Sequence, residues 1–217
     1  MNIAILGSRG IPAEFGGFET FAEELAVRLV KRGCRVTVFC EDSQQYRQPE
    51  YRGVRLRYIT TPSIVGLRSI WNDLVGIIAC LHGYDVVYML GYHAAFTFFL
   101  PRMFGVNFHV NMDGIEWQRE KWSYFARAYL KISERLAVHW SAHLVADADA
   151  ISDHLASAYP GSAYKLETIP YGATIPEDTA PDVLKEWGLA PGAYDPPYNE
   201  STSCSFNFLR QMNGQSE

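Results

Sequence analysis

One segment constrains the fold of this chain more than any other, the glycine-rich run GSRGIPAEFGGFE from Gly7 to Glu19. It follows a short apolar run, residues 2–6, that is typical of a buried strand. It precedes a helical pattern of apolar residues over 18–31. Glycine lets a backbone approach a ligand closely, and the N–H groups of a helix's first turn attract anions. The segment therefore predicts an α/β protein that holds a phosphorylated ligand at the edge of a parallel sheet.

The spacing of the glycines argues against two common nucleotide sites. Gly7, Gly10, Gly16 and Gly17 do not form the G-x-G-x-x-G pattern that binds dinucleotides. The segment also lacks the Gly-Lys-Ser/Thr ending of a Walker A loop, so a plain NAD or ATP site is disfavoured. The alternative is an ordinary strand–helix connection with glycines at its turns, although such connections usually have about 2–6 residues.

Composition narrows the class of protein. The 217 residues are 48% hydrophobic, enough for one well-packed domain or for one domain and a fragment. A net charge of -5 disfavours nucleic acid as a partner. The four cysteines lack ligand spacing, and Met1 leads directly into a strand without a basic leader. No apolar stretch approaches the roughly 20 residues of a membrane span. We therefore expect a cytoplasmic protein.

Strand-like and helix-like segments alternate along most of the chain. We predict short apolar strands at Ile3–Leu6, Arg35–Cys40, Val54–Ile59, Val86–Met89, Phe108–Asn111, His143–Ala146 and Leu166–Ile169. We predict helices at Phe18–Arg32, Leu67–His82, Ala94–Met103, Trp122–Ser141, Ala148–Ala158 and Pro181–Trp187. This order predicts an α/β fold, a Rossmann-like doubly wound parallel sheet with helices on both faces. A ligand is expected at the carboxyl ends of the strands, near a switch in strand order.

The composition changes near the C-terminus. From Pro176 onward the chain is rich in Pro, Asp, Glu and Ala, and beyond Tyr194 it is mostly polar with no sustained period. We therefore predict a Rossmann-like domain at 1–175, a hinge at 176–194, and a disordered or aberrant tail at 195–217.

Three segments resemble a known enzyme family. The run GSRGIPAEFGGFETFAEEL, Gly7 to Leu25, resembles the opening of bacterial glycosyltransferases with the GT-B fold. These are the rhamnosyltransferase-like group of the family-4 retaining enzymes, whose N-terminal domain was catalogued as a domain of unknown function. Asn111–Trp122, NMDGIEWQREKW, resembles the second signature of that group, and Ile169–Ala173, IPYGA, resembles its crossing into the hinge. The resemblance covers about residues 1–194.

The resemblance implies one half of a two-domain enzyme. In such enzymes the N-terminal domain holds the acceptor and the C-terminal domain holds the nucleotide-sugar. The residues after the hinge are too few here for a second domain of similar size. The resemblance therefore implies that donor binding and turnover need a domain that this chain does not contain. The expected activity is transfer of a rhamnose-like or other hexose to a glycan or lipid-linked acceptor in cell-surface polysaccharide synthesis.

The resemblance also assigns roles to individual residues. It implies that the backbone N–H groups of Gly16 and Gly17 stabilise charge on the leaving diphosphate. It implies that Glu19 orients the loop or the acceptor, and that Asp113, after the fifth predicted strand, is catalytic near the reacting sugar. The nucleotide-sugar is a co-substrate, and we expect no metal and no other cofactor, because protein donors and helix dipoles offset the diphosphate charge.

Three further residues are candidates for substrate binding. Arg9 could pair with a phosphate, or could be a solvated loop arginine. His93, which follows a strand, could contact a sugar hydroxyl, or could be structural. Asp113 and Glu116 lie at a strand end, where a ligand-positioning carboxylate is expected; the alternative is an Asp-Gly turn with a helix-capping Glu.

The predicted helix at 122–141 could contact a membrane. Arg127, Lys131 and Arg135 recur every fourth residue with aromatic residues between them, which suits an anionic lipid surface. The alternative is an amphipathic helix packed on the sheet with a solvated basic face, since Glu120 and Glu134 dilute the charge.

Two other functions are compatible with the sequence. The chain could be a non-catalytic module that binds an acceptor or a partner without turnover. It could also be an oxidoreductase-type Rossmann domain, because Glu41-Asp42 resembles a ribose-binding acid, although the glycine spacing argues against this.

Overall fold

The computed structural model describes residues 1–14, 16–62, 68–119 and 122–172. The strands are β1 (Asn2–Leu6), β2 (Arg35–Glu41), β3 (Glu50–Tyr51), β4 (Val54–Ile59), β5 (Val86–Leu90), β6 (Phe108–Met112), β7 (His143–Ala146) and β8 (Leu166–Thr168). The α-helices are α1 (Gly17–Lys31), α2 (Arg68–Ala79), α3 (Phe99–Met103), α4 (Tyr124–Trp140) and α5 (Asp149–Ala158). Short 3-10 turns lie at Ala95–Thr97, Glu116–Gln118 and Pro160–Lys165.

The order in which the chain adds strands to the sheet reverses at the centre of the sheet. Its strand order is β3-β4-β2-β1-β5-β6-β7-β8, and every neighbouring pair is parallel except β3 with β4. From β1 the chain builds outward through β2 and β4, then returns to place β5 on the other side of β1. The register pairs Ile3 with Val86 and Leu6 with Met89, so β1 and β5 end side by side. That pair is the topological switch point, where open α/β sheets bind ligands.

Alternation along the strands creates two hydrophobic cores. Ile3 and Ile5 of β1 pack in one core with Ala22 and Ala26 of α1. Ala4 and Leu6 face the other way, into a core with side chains of α2, α4 and α5. Because both faces of the sheet are covered, the α/β doubly wound fold predicted from the sequence is confirmed.

Most predicted elements form, with two corrections. All seven predicted strands are present, and the two-residue β3 was missed because it is too short to show a period. The continuous helix predicted at Ala94–Met103 is wrong, since it divides into a 3-10 turn and α3. Pro101 has no N–H to donate to the carbonyl of Thr97, so the helical ladder cannot run across this point.

Residues Met1–Gly172 form one compact unit. The hinge predicted at 176–194, its helix at Pro181–Trp187 and the tail predicted at 195–217 lie outside the described residues. Among the helices in the described part of the chain, none combines the length and the apolar character that crossing a bilayer requires.

Candidate functional site

The glycine-rich loop after β1 is packed directly on the switch point. Gly7 has φ +87°, and a Cβ on it would lie 2.2 Å from the carbonyl oxygen of Leu90 at the end of β5. Gly10 has φ +124°, and a Cβ there would lie 2.6 Å from Cys40 Sγ and Gln44 Oε1. Only glycine fits at either position. The loop therefore lies across the carboxyl ends of β5 and β2.

Two carboxylates of α1 hold the loop in place. The buried Glu19 accepts a hydrogen bond from the backbone N–H of Arg9, at 3.1 Å from Oε1. Glu23 accepts one from the N–H of Ala13, at 2.8 Å from Oε2. Glu19 is thus positioned to orient the loop, which is one of the two roles that the sequence predicted for it.

The start of α1 leaves room for a ligand. Gly16 is the N-cap, and a Cβ on it would come within 3.1 Å of Glu19 Oε2. Gly17 opens the helix, and a Cβ on it would meet no atom of the described residues within 4 Å. First-turn N–H groups and the helix dipole both favour an anion at such a position.

A polar cavity of about 190 Å³ lies beneath the loop. Its lining is Gly7, Ser8, Arg9, Phe18, Glu19, Glu41, Ser69, Asn72, Asp73, Leu90 and His93. The structure therefore brings three of the predicted site residues, Arg9, Glu19 and His93, to one cavity at the switch point.

Asp113 lies at the carboxyl end of β6, in a second group of charged residues. Burial raises the pKa of its carboxyl to about 6, and the charges of Asp147 and Glu116 add to this effect. Arg119 and His93 act in the opposite direction on the same pKa. His93 also lines the cavity beneath the loop. A carboxyl that titrates near neutral pH is suited to transferring a proton.

Glu116 is buried in a network within the protein. Its backbone N–H donates to the hydroxyl of Tyr92 at 3.1 Å. Its carboxylate pairs with Arg119 at 3.0 Å and accepts from the indole N–H of Trp122 at 3.3 Å. These contacts suit a residue that shapes the turn after Asp113, the alternative to direct substrate contact.

Several residues at the site were missed in the sequence. Asn72 and Asp73 of α2 and Glu41 of β2 line the cavity, and Asp147 follows β7. Asp147 could have been found, since it immediately follows a predicted strand. Asn72 and Asp73 also gave a signal, because they are polar residues within an otherwise apolar helical stretch.

Tyr171, from the IPYGA segment, also reaches the strand ends. The side-chain amide of Asn111 donates to the hydroxyl oxygens of Tyr171 and Tyr88, at 3.3 and 3.2 Å. The Tyr171 ring lies 4.6 Å from that of Phe21 on α1, centroid to centroid. Within the part of the chain that the structure describes, no group of three or more His, Cys, Asp or Glu side chains is placed to hold a metal ion.

Comparison of the sequence with family models gives one match. The model described as "Domain of unknown function (DUF1972)" matches residues 1–174. No curated protein matches the chain.

Comparison with solved structures shows the fold. HepE (Alr3699) of Anabaena, solved with UDP and glucose, has a TM-score of 0.55 at 18% identity, over 87% of this chain and 50% of that one. The catalytic domain of starch synthase IV of Arabidopsis thaliana, bound to ADP and acarbose, has a TM-score of 0.57 at 12% identity, over 100% of this chain and 59% of that one. A glycosyltransferase of Rickettsia africae has a TM-score of 0.51 at 14% identity, over 88% of this chain and 50% of that one. The chain thus spans about half the length of these structures, and identities this low show a shared fold alone.

Proposed function

Because the chain belongs to the DUF1972 family and has a fold found in solved glycosyltransferases, we propose that residues 1–172 are the acceptor side of a retaining glycosyltransferase. Its reaction is transfer of a rhamnose-like or other hexose from a nucleotide-sugar to a glycan or lipid-linked acceptor in cell-surface polysaccharide synthesis. A second domain supplies the nucleotide-sugar. This follows from the resemblance of the Gly7–Leu25 segment to rhamnosyltransferase-like enzymes of the GT-B fold.

One observation carries the proposal. The strands β1 and β5 end side by side at the switch point, and the glycine loop lies across that end with Arg9, Glu19 and His93 around one cavity. Open α/β sheets bind their ligands at this place. An ordinary strand–helix connection would not need a loop held against β5 by a glycine that no other residue can replace.

Different residues of the site act on the donor, on the reacting sugar and on the acceptor. The N–H groups of Gly16 and Gly17 face the donor diphosphate and stabilise its charge as it leaves. Asp113 lies near the reacting sugar, where its pKa of about 6 lets it hold or release a proton at neutral pH. Arg9, His93 and the loop held by Glu19 contact the substrates. No metal or further cofactor takes part, because these donors offset the diphosphate charge.

Two measurements test this function. Saturation-transfer NMR of the purified chain with neutral oligosaccharides should show binding, because the acceptor site lies in this unit. Release of nucleoside diphosphate from UDP-, GDP- and dTDP-sugars is then measured on a complete enzyme that joins this unit to a donor domain, with acceptor and EDTA present, and it distinguishes a transferase from a non-catalytic binding module. Metal-free release supports a transferase, and glycan binding without release supports the non-catalytic binding module. Absence of glycan binding would contradict both.

We further propose that α4 contacts an anionic membrane, where a lipid-linked acceptor resides. Tyr124 and Phe125 are 81% and 83% exposed, and Lys131, Ile132 and Arg135 are exposed on the same helix. Apolar side chains beside basic ones are typical of helices that bind lipid surfaces.

Glu134 does not dilute the charge of this helix as the sequence suggested. It is buried and accepts hydrogen bonds from Trp117 Nε1 and the Tyr159 hydroxyl, both at 2.9 Å. His154 Nε2 lies 3.2 Å from Glu134 Oε1, the same oxygen that accepts the hydrogen bond from Tyr159. The other diluting residue, Glu120, lies outside the described residues.

The membrane contact can be tested with vesicles. Replacing Phe125 and Ile132 by Ser should lower partitioning onto phosphatidylglycerol vesicles by about a hundredfold or more, because each exposed apolar side chain contributes about 1.5 kcal/mol or more when buried. Tyr164→Ser is the control, since Tyr164 is equally exposed but lies between α5 and β8. Equal partitioning of all three proteins would rule out α4 as the contact.

A further inference from the structure

The cavity beneath the glycine loop contains buried polar atoms without partners. Ser8 and Asn72 are each only 4% exposed. Ser8 Oγ and Asn72 Oδ1 make no hydrogen bond to any of the described residues, and both residues line the cavity. Leaving a buried polar atom unpaired costs folding free energy, so such atoms are expected to meet a ligand or water.

Two acidic side chains around the cavity accept hydrogen bonds from neutral groups of the protein. Glu19 accepts from the N–H of Arg9, and Glu41 accepts from the Ser43 hydroxyl at 3.1 Å. Burial raises the pKa of the Asp73 carboxyl well above its ordinary value, and the charge of Glu41 adds to this, which favours the protonated form. Two further acidic side chains, Glu19 and Glu41, share the lining with one arginine, Arg9. Because acidic side chains outnumber basic ones there, the cavity is unsuited to the donor diphosphate.

The uncharged polar groups of the lining are suited to binding hydroxyl groups. Asn72 and Ser8 supply an amide and a hydroxyl, each able to donate and accept, and Asp73 adds a carboxyl. Phe18 adds an aromatic ring to the wall. The volume of about 190 Å³ is smaller than the roughly 300 Å³ or more of pockets for drug-sized ligands. It suits one small ring with several hydroxyls.

We propose that this cavity binds one uncharged sugar ring of the acceptor, with its hydroxyls on Ser8, Asn72 and Asp73. This proposal rests on the proposed glycosyltransferase function and adds the subsite and the charge of its ligand. The glycine loop then separates two binding sites, one for an anion and one for an uncharged ring. The diphosphate lies on the side of Gly16 and Gly17, and the uncharged acceptor ring lies beneath the loop, on the side of Ser8.

The test is binding of free monosaccharides, such as glucose, rhamnose and N-acetylglucosamine, to the full chain by saturation-transfer NMR. Ser8→Ala should weaken binding roughly five- to tenfold, the effect of one lost hydrogen bond. Its melting temperature should stay the same or rise, because the removed hydroxyl has no partner among the described residues. A purely structural serine would not give this combination.

A second variant and a control complete the test. Asn72→Leu keeps the volume but removes the amide, and should also weaken binding. Asn107→Ala should not, since Asn107 is exposed just before β6, at the opposite end of the sheet.

Each failure has its own meaning. If oligosaccharides bind but Ser8→Ala and Asn72→Leu bind them as tightly as the unmodified chain, the cavity proposal is overturned and the function stands. If inorganic phosphate displaces the monosaccharides, the cavity is an anion site and the proposal is also overturned. If neither monosaccharides nor oligosaccharides bind, both the cavity and the function are rejected.

Discussion

Replacing Gly7 by Ala should destabilise the protein by about 3 kcal/mol or more. A Cβ at Gly7 would lie 2.2 Å from the carbonyl oxygen of Leu90, and the backbone there has φ +87°. The oxygen belongs to a strand in the middle of the sheet and cannot move without disturbing its neighbours. Strained backbone alone costs about 1–3 kcal/mol, and the close contact adds to it. Thermal or urea unfolding measures the loss.

Gly17→Ala is the matched control for this experiment. Gly17 belongs to the same loop–helix segment, but its Cβ would meet nothing in the described residues within 4 Å. We expect a change within about 0.5 kcal/mol, the usual range for surface substitutions. If Gly7→Ala were as stable as Gly17→Ala, the loop would not be packed against β5 as described.

Asp113→Asn should stabilise the protein at pH 8 and leave its stability nearly unchanged near pH 4. The pKa of Asp113 is raised from 3.8 to about 6 in the folded protein, so the folded state holds the proton more tightly than the unfolded state. The resulting stability is fully present below the unfolded pKa and is lost as the pH rises through about 6. The Asn variant does not lose this stability, because it has no carboxyl to ionise. The full shift in pKa corresponds to at most about 3 kcal/mol of unfolding free energy, and screening by solvent reduces the expected difference to about 1–2 kcal/mol.

Unfolding free energies of both proteins between pH 4 and pH 8 check this expectation. Asp113→Ala also lacks the carboxyl, so it should show the same pH dependence relative to the unmodified chain, whatever its effect on packing. A difference between variant and unmodified chain that does not change with pH would mean that the Asp113 carboxyl is not desolvated as described. The expected pattern, a residue that costs stability when ionised, is characteristic of functional sites.

The sequence predicted the strands and the glycine loop that form the site, because each is marked by a pattern of neighbouring residues. The strands buried on both faces are short apolar runs, and glycines at fixed positions mark the loop. Parallel strands then bring their ends to one edge, which is why His93 and Asp113 could be named as residues that follow a strand, while Arg9 was named from the glycine loop and the role of Asp113 from the family resemblance. The roles predicted for them stay predictions.

The rest depends on contacts between distant segments. Asn72 and Asp73 stand out as polar residues in an apolar helical stretch, but that local pattern does not show that α2 packs against the strands beside the loop and so places them at the cavity. Glu134 looked like a surface charge on a helix, but the positions of Trp117 and Tyr159 bury and satisfy it. Tyr171 meets Asn111 across 60 residues of sequence.

Calorimetric titration of the purified chain with UDP-, GDP- and dTDP-sugars tests the central claim most directly. If residues 1–172 are the acceptor side, these donors should not saturate the chain below millimolar concentration, while neutral glycans bind. Micromolar binding of a nucleotide-sugar, without binding of glycans, would show instead that the glycine loop and Gly16–Gly17 form a complete donor site, and would contradict the placement of the acceptor beneath the loop.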